Sequence, residues 1–131
     1  MEDKVFRIKV DRTKQILASE ALLASSWKER MVGLLNRTSL DQGQGLIIPT
    51  CSSVHTMFMR FPIDTVFVDD ALTVLQTYEC LPPWRITPIV WKANSVIELP
   101  AGTLRATPVT VGDRLVIERS LEKHLDTVRA E

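Results

Sequence analysis

The chain has 131 residues, 16 Lys and Arg against 16 Asp and Glu, two His, two Cys and 45% hydrophobic residues. That length suits one domain whose own core buries roughly two-thirds of the surface exposed by the unfolded chain. A net charge of zero excludes a broad phosphate-neutralising face, so no nucleic-acid partner is expected, and no polybasic stretch points to a membrane.

The first ten residues alternate charged and apolar side chains, unlike a signal peptide, and no run reaches the ~18 apolar residues of a membrane span. The expected location is cytoplasmic, with Cys51 and Cys80 as free thiols. In Val5–Val10, Phe6, Ile8 and Val10 share one face and Arg7 and Lys9 the other, which predicts a strand. A turn at residues 11–14 leads to 15–24, whose nearly continuous apolar residues suit a second strand closing a hairpin, the favoured reading, or a short helix. Ser26 and Glu29 form a capping box, and Trp27, Met31, Leu34 and Leu35 make one stripe, so one main α-helix is expected near residues 27–36. Residues 38–45 read as a loop, and 46–59, without a full charge, must be largely interior. Residues 64–69 and 72–80 form a hairpin turning at Asp69-Asp70. Pro82-Pro83 ends it, 87–92 is irregular around Pro88, and Trp91 is assigned to the core. Residues 95–99 and 114–118 are the last strands, and 119–131 is a C-terminal tail with helical spacing. The expected class is α+β: a mostly antiparallel sheet or partly closed barrel, one main helix and short helical turns, in a single domain spanning 1–131.

Three stretches in order suggest a family. These are 30–37 (RMVGLLNR) followed by Leu40, then 59–69 (MRFPIDTVFVD), then 96–102 (VIELPAG) with Gly112-Asp113 beyond. Together they resemble the bacterial and archaeal family called domain of unknown function 192, over about residues 14–118. The resemblance implies a strand-rich α+β fold and, by the family's name, no established activity. Many members carry an aromatic-Trp-Met-Lys-Asn run where this chain has Val54-His55-Thr56-Met57-Phe58, so a role for that Trp or Lys does not carry over. Members also commonly look exported, a feature not seen in this sequence.

Cys51 and His55 are the one nucleophile-and-base pair to weigh, since an imidazole can deprotonate a thiol. In extended backbone, however, four residues separate them by roughly 13 Å. The same geometry puts Cys51, Ser53, His55 and Met57 on one face, a stripe able to line a pocket. Cys51, His55, Cys80 and Glu98 or His124 lack metal-ligand spacing, so no metal and no cofactor are expected. Asp64 and Glu98 lie inside apolar runs and need a cation, backbone N–H groups or a solvent-filled cleft; Arg60 and Arg85 are the nearest cations by context. Trp84 and Arg85, stiffened by two prolines, form a recognition element. Glycine-rich phosphate loops and nucleophile elbows are absent.

The reading is a domain that binds a small molecule or partner protein without catalysis, through His55, Met57, Arg60, Trp84, Arg85 and Glu98. Asp64, Gly33, Gly102 and Asp113 hold the structure. The alternatives are a hydrolase-like enzyme using Cys51 or His55 with a carboxylate, and a purely structural interaction module.

Overall fold

The computed structural model describes residues 5–24 and 39–120. Seven strands follow in chain order: β1 (Val5–Val10), β2 (Ile16–Leu23), β3 (Gln44–Pro49), β4 (Ile63–Val68), β5 (Val74–Leu81), β6 (Ser95–Pro100) and β7 (Leu115–Arg119), with a helical turn α1 (Thr103–Ala106) before the last. They form one sheet in the order β5-β4-β6-β3-β2-β1-β7. Neighbours are antiparallel except β2 and β3, which run parallel.

The sheet curls until its two edge strands touch at one corner. Thr73 and Arg114 form a bridge there, the Val74 N–H donates to the Asp113 carbonyl at 2.8 Å, and the Leu115 N–H donates to the Leu72 carbonyl at 2.9 Å. All seven strands send side chains to the enclosed side. Ile8, Leu17, Ile47, Val66, Val68, Val74, Ile97, Leu99 and Leu115 make one buried cluster, which Leu104 of α1 completes. β4 is buried at every position, because its other face, through Ile63 and Phe67, meets two smaller clusters built by residues 51–61 and 78–93.

The α+β expectation is corrected by this architecture. Among the described residues the chain is mostly β, with one four-residue helical turn and no main helix. The helix expected near residues 27–36, with Gly33 in it, and the helical tail beyond 120 lie outside the described residues. A capping box and an apolar stripe are local signals, whereas class is set by the long-range pairing of seven period-two segments. The strand β3 begins inside the stretch read as a loop. Its Leu46-Ile47-Ile48 run is short and apolar throughout, which periodicity alone does not assign.

Local chemistry fixes the corners. Asp69 Oδ1 accepts the N–H groups of Ala71 and Thr73, each at 2.9 Å, which turns the chain between β4 and β5. Asp113 accepts Arg12 Nε at 2.8 Å and Nη2 at 3.0 Å and the Thr110 N–H at 2.9 Å. The Arg12 hydrogen bonds first, and the Thr110 N–H second, hold the Asp113 carboxyl well below the usual carboxylate range against the opposing effect of burial. Gly112 sits in this turn at φ 98°, a conformation glycine adopts without steric cost.

Candidate functional site

Asp64, flagged by the sequence as a carboxylate in apolar surroundings, is fully buried and ends at backbone rather than at a cation. β5 bulges opposite it, with Ile63 facing Leu81 and Thr65 facing Tyr78. The bulge leaves the Cys80 N–H without a ladder partner, and that N–H donates to Asp64 Oδ1 at 2.7 Å. The Leu104 N–H of α1 donates to Oδ2 at 2.8 Å. Asp64 therefore ties β4, β5 and α1 together, and Arg60 is left exposed on the surface. Gly102, at φ 95°, precedes α1 as its N-cap.

Glu98 is also fully buried, on the opposite face of the sheet from Leu99. It lies in one cross-strand row with Leu46 on β3, Thr65 on β4 and Tyr78 on β5. The Thr65 hydroxyl has no hydrogen-bond partner among the described residues. The row runs beside the two small apolar clusters, which contain Ile63 and Phe67, so Glu98 is interior, whereas Arg60, Trp84 and Arg85 are exposed.

Over that face, residues 51–59 and 82–94 run antiparallel as an irregular ribbon. The Val90 N–H donates to the Ser52 carbonyl at 2.8 Å and the Thr87 N–H to the Val54 carbonyl at 2.9 Å. The Thr56 N–H donates to the Arg85 carbonyl at 2.8 Å. The Thr56 hydroxyl adds two bonds, donating to the Pro82 carbonyl at 2.6 Å and accepting the Arg85 N–H at 2.9 Å. Val54, Thr56 and Thr87 point inward and are buried. Half-buried His55 forms a bridge with Ile86, and Met57 is half-buried beyond it. The Cys51 thiol donates to the Ser53 carbonyl at 2.9 Å, and Cys51 and Cys80 are both free thiols. Among the described residues no group of three or more His, Cys, Asp or Glu is placed to hold a metal ion.

The outer side of the ribbon carries large apolar side chains. Trp91 is 81% exposed, Ile89 75%, Ile86 70%, Phe58 64% and Trp84 54%. Assigning Trp91 to the core was wrong: it sits in the turn that closes with the Ala93 N–H on the Val90 carbonyl at 3.1 Å, and its ring projects into solvent. Phe58 and Trp84 meet edge to face, with centroids 4.7 Å apart. Both hold positive φ, 67° and 66°, a region that costs a bulky residue roughly 1–2 kcal/mol. The sequence pointed to Trp84 and Arg85 through the proline pair and missed Phe58, Ile86 and Ile89. One further signal was present: no Asp or Glu occurs between Asp41 and Asp64 or between Glu79 and Glu98.

A family profile described as DUF192, Uncharacterized ACR, matches residues 8–117. The chain belongs to this family. Within it, a UPF0127 protein of Pyrococcus furiosus is 37% identical over 70 residues, 53% of this chain and 60% of that protein. Another from Pyrococcus abyssi is 38% identical over 64 residues, 49% of this chain and 54% of that one. The matches thus span little more than half the length of these DUF192-like relatives. A solved protein of unknown function from Novosphingobium aromaticivorans shares the fold at a TM-score of 0.71 and 19% identity, covering 86% of this chain and 83% of the other. A proposed transcription regulator from Sinorhizobium meliloti matches at a TM-score of 0.71 and 22% identity, covering 90% and 94%. At these identities the two structures share the DUF192 fold with this chain, and their descriptions remain their own.

Proposed function

We propose that this DUF192 domain is a non-catalytic binding module that engages a protein partner through the outer side of the 51–59/82–94 ribbon. The Phe58–Trp84 pair carries the reading: two large aromatic residues are held in a costly backbone conformation, packed edge to face and exposed to water. Such strain persists only where the surroundings over-determine it, and it concentrates at sites of function. Folding alone would favour glycine or asparagine at those positions and a buried ring. Three hydrogen-bonded rungs fix the ribbon, so its side chains lose little freedom on contact, and Trp and Arg are the residue types enriched at energetic centres of interfaces. The Cys51 thiol spends its hydrogen on a backbone carbonyl two residues away, which supports binding over nucleophilic chemistry. The reading takes exposed Arg60, Trp84 and Arg85 as the contacting residues, with half-buried His55 and Met57 beside them, and leaves fully buried Glu98 out.

A photo-crosslinking residue at position 86 or 89, in the native host, tests this. The expected result is one discrete protein adduct at those positions, lost in Phe58→Gly and Trp84→Ala, and absent when the probe stands at exposed Arg105. Equal labelling at all three positions, or adducts unaffected by the two substitutions, would refute it. Phe58→Gly relieves the strained φ while losing an aromatic contact worth about 0.5–1.5 kcal/mol, so stability should change little.

A further inference from the structure

The ribbon carries charge as well as apolar surface, and only of one sign. Arg85 and Lys92 on the ribbon, and Arg60 immediately after its first strand, are all exposed, and the acid-free sequence around them places no carboxylate on either strand of the ribbon. Because the chain as a whole is neutral, this is a local segregation, and its negative counterparts stand elsewhere, at Asp69, Asp70, Glu79 and Glu118. Among the described residues none of the three has a carboxylate partner: the ion pairs there involve Arg7, Lys9, Arg12 and Lys14. Arg85 instead leans its Nη1 on the Trp84 carbonyl at 3.4 Å, leaving most of its donor fork free.

We propose that the partner surface is an acidic protein segment bearing large apolar side chains, whose carboxylates meet Arg85, Arg60 and Lys92 while its apolar residues cover Trp84, Phe58 and Trp91. This rests on the reading of the ribbon as a docking surface. Arginine's planar fork pairs with carboxylates bidentately, and aromatic faces with neighbouring guanidinium groups exclude water from such pairs. The rungs from residue 52 to residue 56 span about 13 Å, the reach of roughly four or five extended residues, so a short segment suffices. A second copy of this chain docking ribbon to ribbon is disfavoured, since like charges would face one another. An anionic bilayer is the nearest competitor. Lipid-binding surfaces of that kind carry about four to eight basic residues; the ribbon has two and Arg60 beside it makes three, and a fluid surface gives no reason to hold two rings in a strained, fixed geometry.

The test uses the whole chain and three short labelled peptides read by fluorescence anisotropy: one alternating Glu with Leu and Phe, one with Gln for every Glu, one with Lys. Vesicles of phosphatidylserine and phosphatidylcholine form a fourth arm. The acidic peptide should bind at least about tenfold more tightly than the neutral one, and that advantage should collapse when added salt shortens the Debye length from about 10 Å to about 3 Å. The combined variant Arg60→Glu, Arg85→Glu, Lys92→Glu should transfer the preference to the basic peptide. Being confined to exposed side chains, it should keep the parent's circular dichroism. Equal affinity for acidic and neutral peptides, or an unchanged preference in the charge-reversed variant, overturns the proposal. So does vesicle binding without peptide discrimination. If Trp84→Ala with Trp91→Ala weakens all three peptides alike while charge reversal changes nothing, the docking surface stands and the acidic partner falls; if neither set matters, both fall.

Discussion

Replacing Asp64 probes a buried polar contact that joins three elements of the fold. Its two oxygens accept the Cys80 N–H at 2.7 Å and the Leu104 N–H at 2.8 Å, and the side chain is wholly enclosed. Asp64→Ala strands both donors. A buried unsatisfied N–H costs about 1–3 kcal/mol, so two orphans predict a loss of about 2–4 kcal/mol, the Cys80 group sitting toward the low end because it is only part-buried. Asp64→Asn keeps the shape and one acceptor but turns an NH2 group toward the second N–H, two donors face to face, which predicts about 2–3 kcal/mol. Urea unfolding at neutral pH gives both values, provided the slope m matches the parent. Hydrogen exchange adds a local signature: the Leu104 and Cys80 amides should lose protection ahead of the Ile97 amide in the sheet centre. Exposed Asp70→Asn is the control and should stay within about 0.5 kcal/mol. An Asp64→Asn variant as stable as that control would refute the assignment of Asp64 as a backbone tie.

The corner clasp makes stability acid-sensitive. The folded Asp113 carboxyl is depressed below its unfolded value of about 3.9, so its contribution is complete above that pH and drains away as pH falls toward the folded value. The stability gap between the parent and Asp113→Asn should therefore narrow from about pH 5 to about pH 2, and a constant gap in urea titrations would contradict this. Gly45→Val should destabilise by about 1–3 kcal/mol, because a Cβ there already meets Leu99 Cδ2 at 3.2 Å and Ala18 Cβ at 3.3 Å; thermal unfolding reads it. Thr56→Val removes the hydroxyl that joins the ribbon's strands, predicting a loss of about 1–3 kcal/mol and faster exchange of the Arg85 amide.

Much of the sheet was legible because period-two alternation and turn chemistry are local. Phe6, Ile8 and Val10 announce β1, and Asp69 announces the β4–β5 turn with the side chain that later makes it. The sequence also isolated Asp64 and Glu98 as carboxylates needing an explanation, since burial of charge is costly wherever it happens. It left the partner of Asp64 open among a cation, backbone N–H groups and a cleft, because an N–H freed by a strand bulge sixteen residues away has no sequence signature. β3 was missed for want of alternation. The ribbon was half seen: prolines mark Trp84 and Arg85, but what sets Ile86 and Trp91 outward is the pairing of residues 52–56 with 85–90, a long-range event. Hydrophobicity alone sent Trp91 inside.

The pairing of β1 with β7 has a consequence for biosynthesis and for chain architecture. The first described strand finds its second partner only in the last, with Phe6 opposite Arg119 and the Ser120 N–H on the Val5 carbonyl at 2.8 Å. On the ribosome the sheet thus stays one strand short, and the corner unclosed, until the final strand has emerged. The two ends of the described sheet, Val5 and Ser120, are also a single hydrogen bond apart. A longer polypeptide could carry this unit as an insert, leaving and rejoining its own path at nearly the same point, with no strand of the sheet displaced.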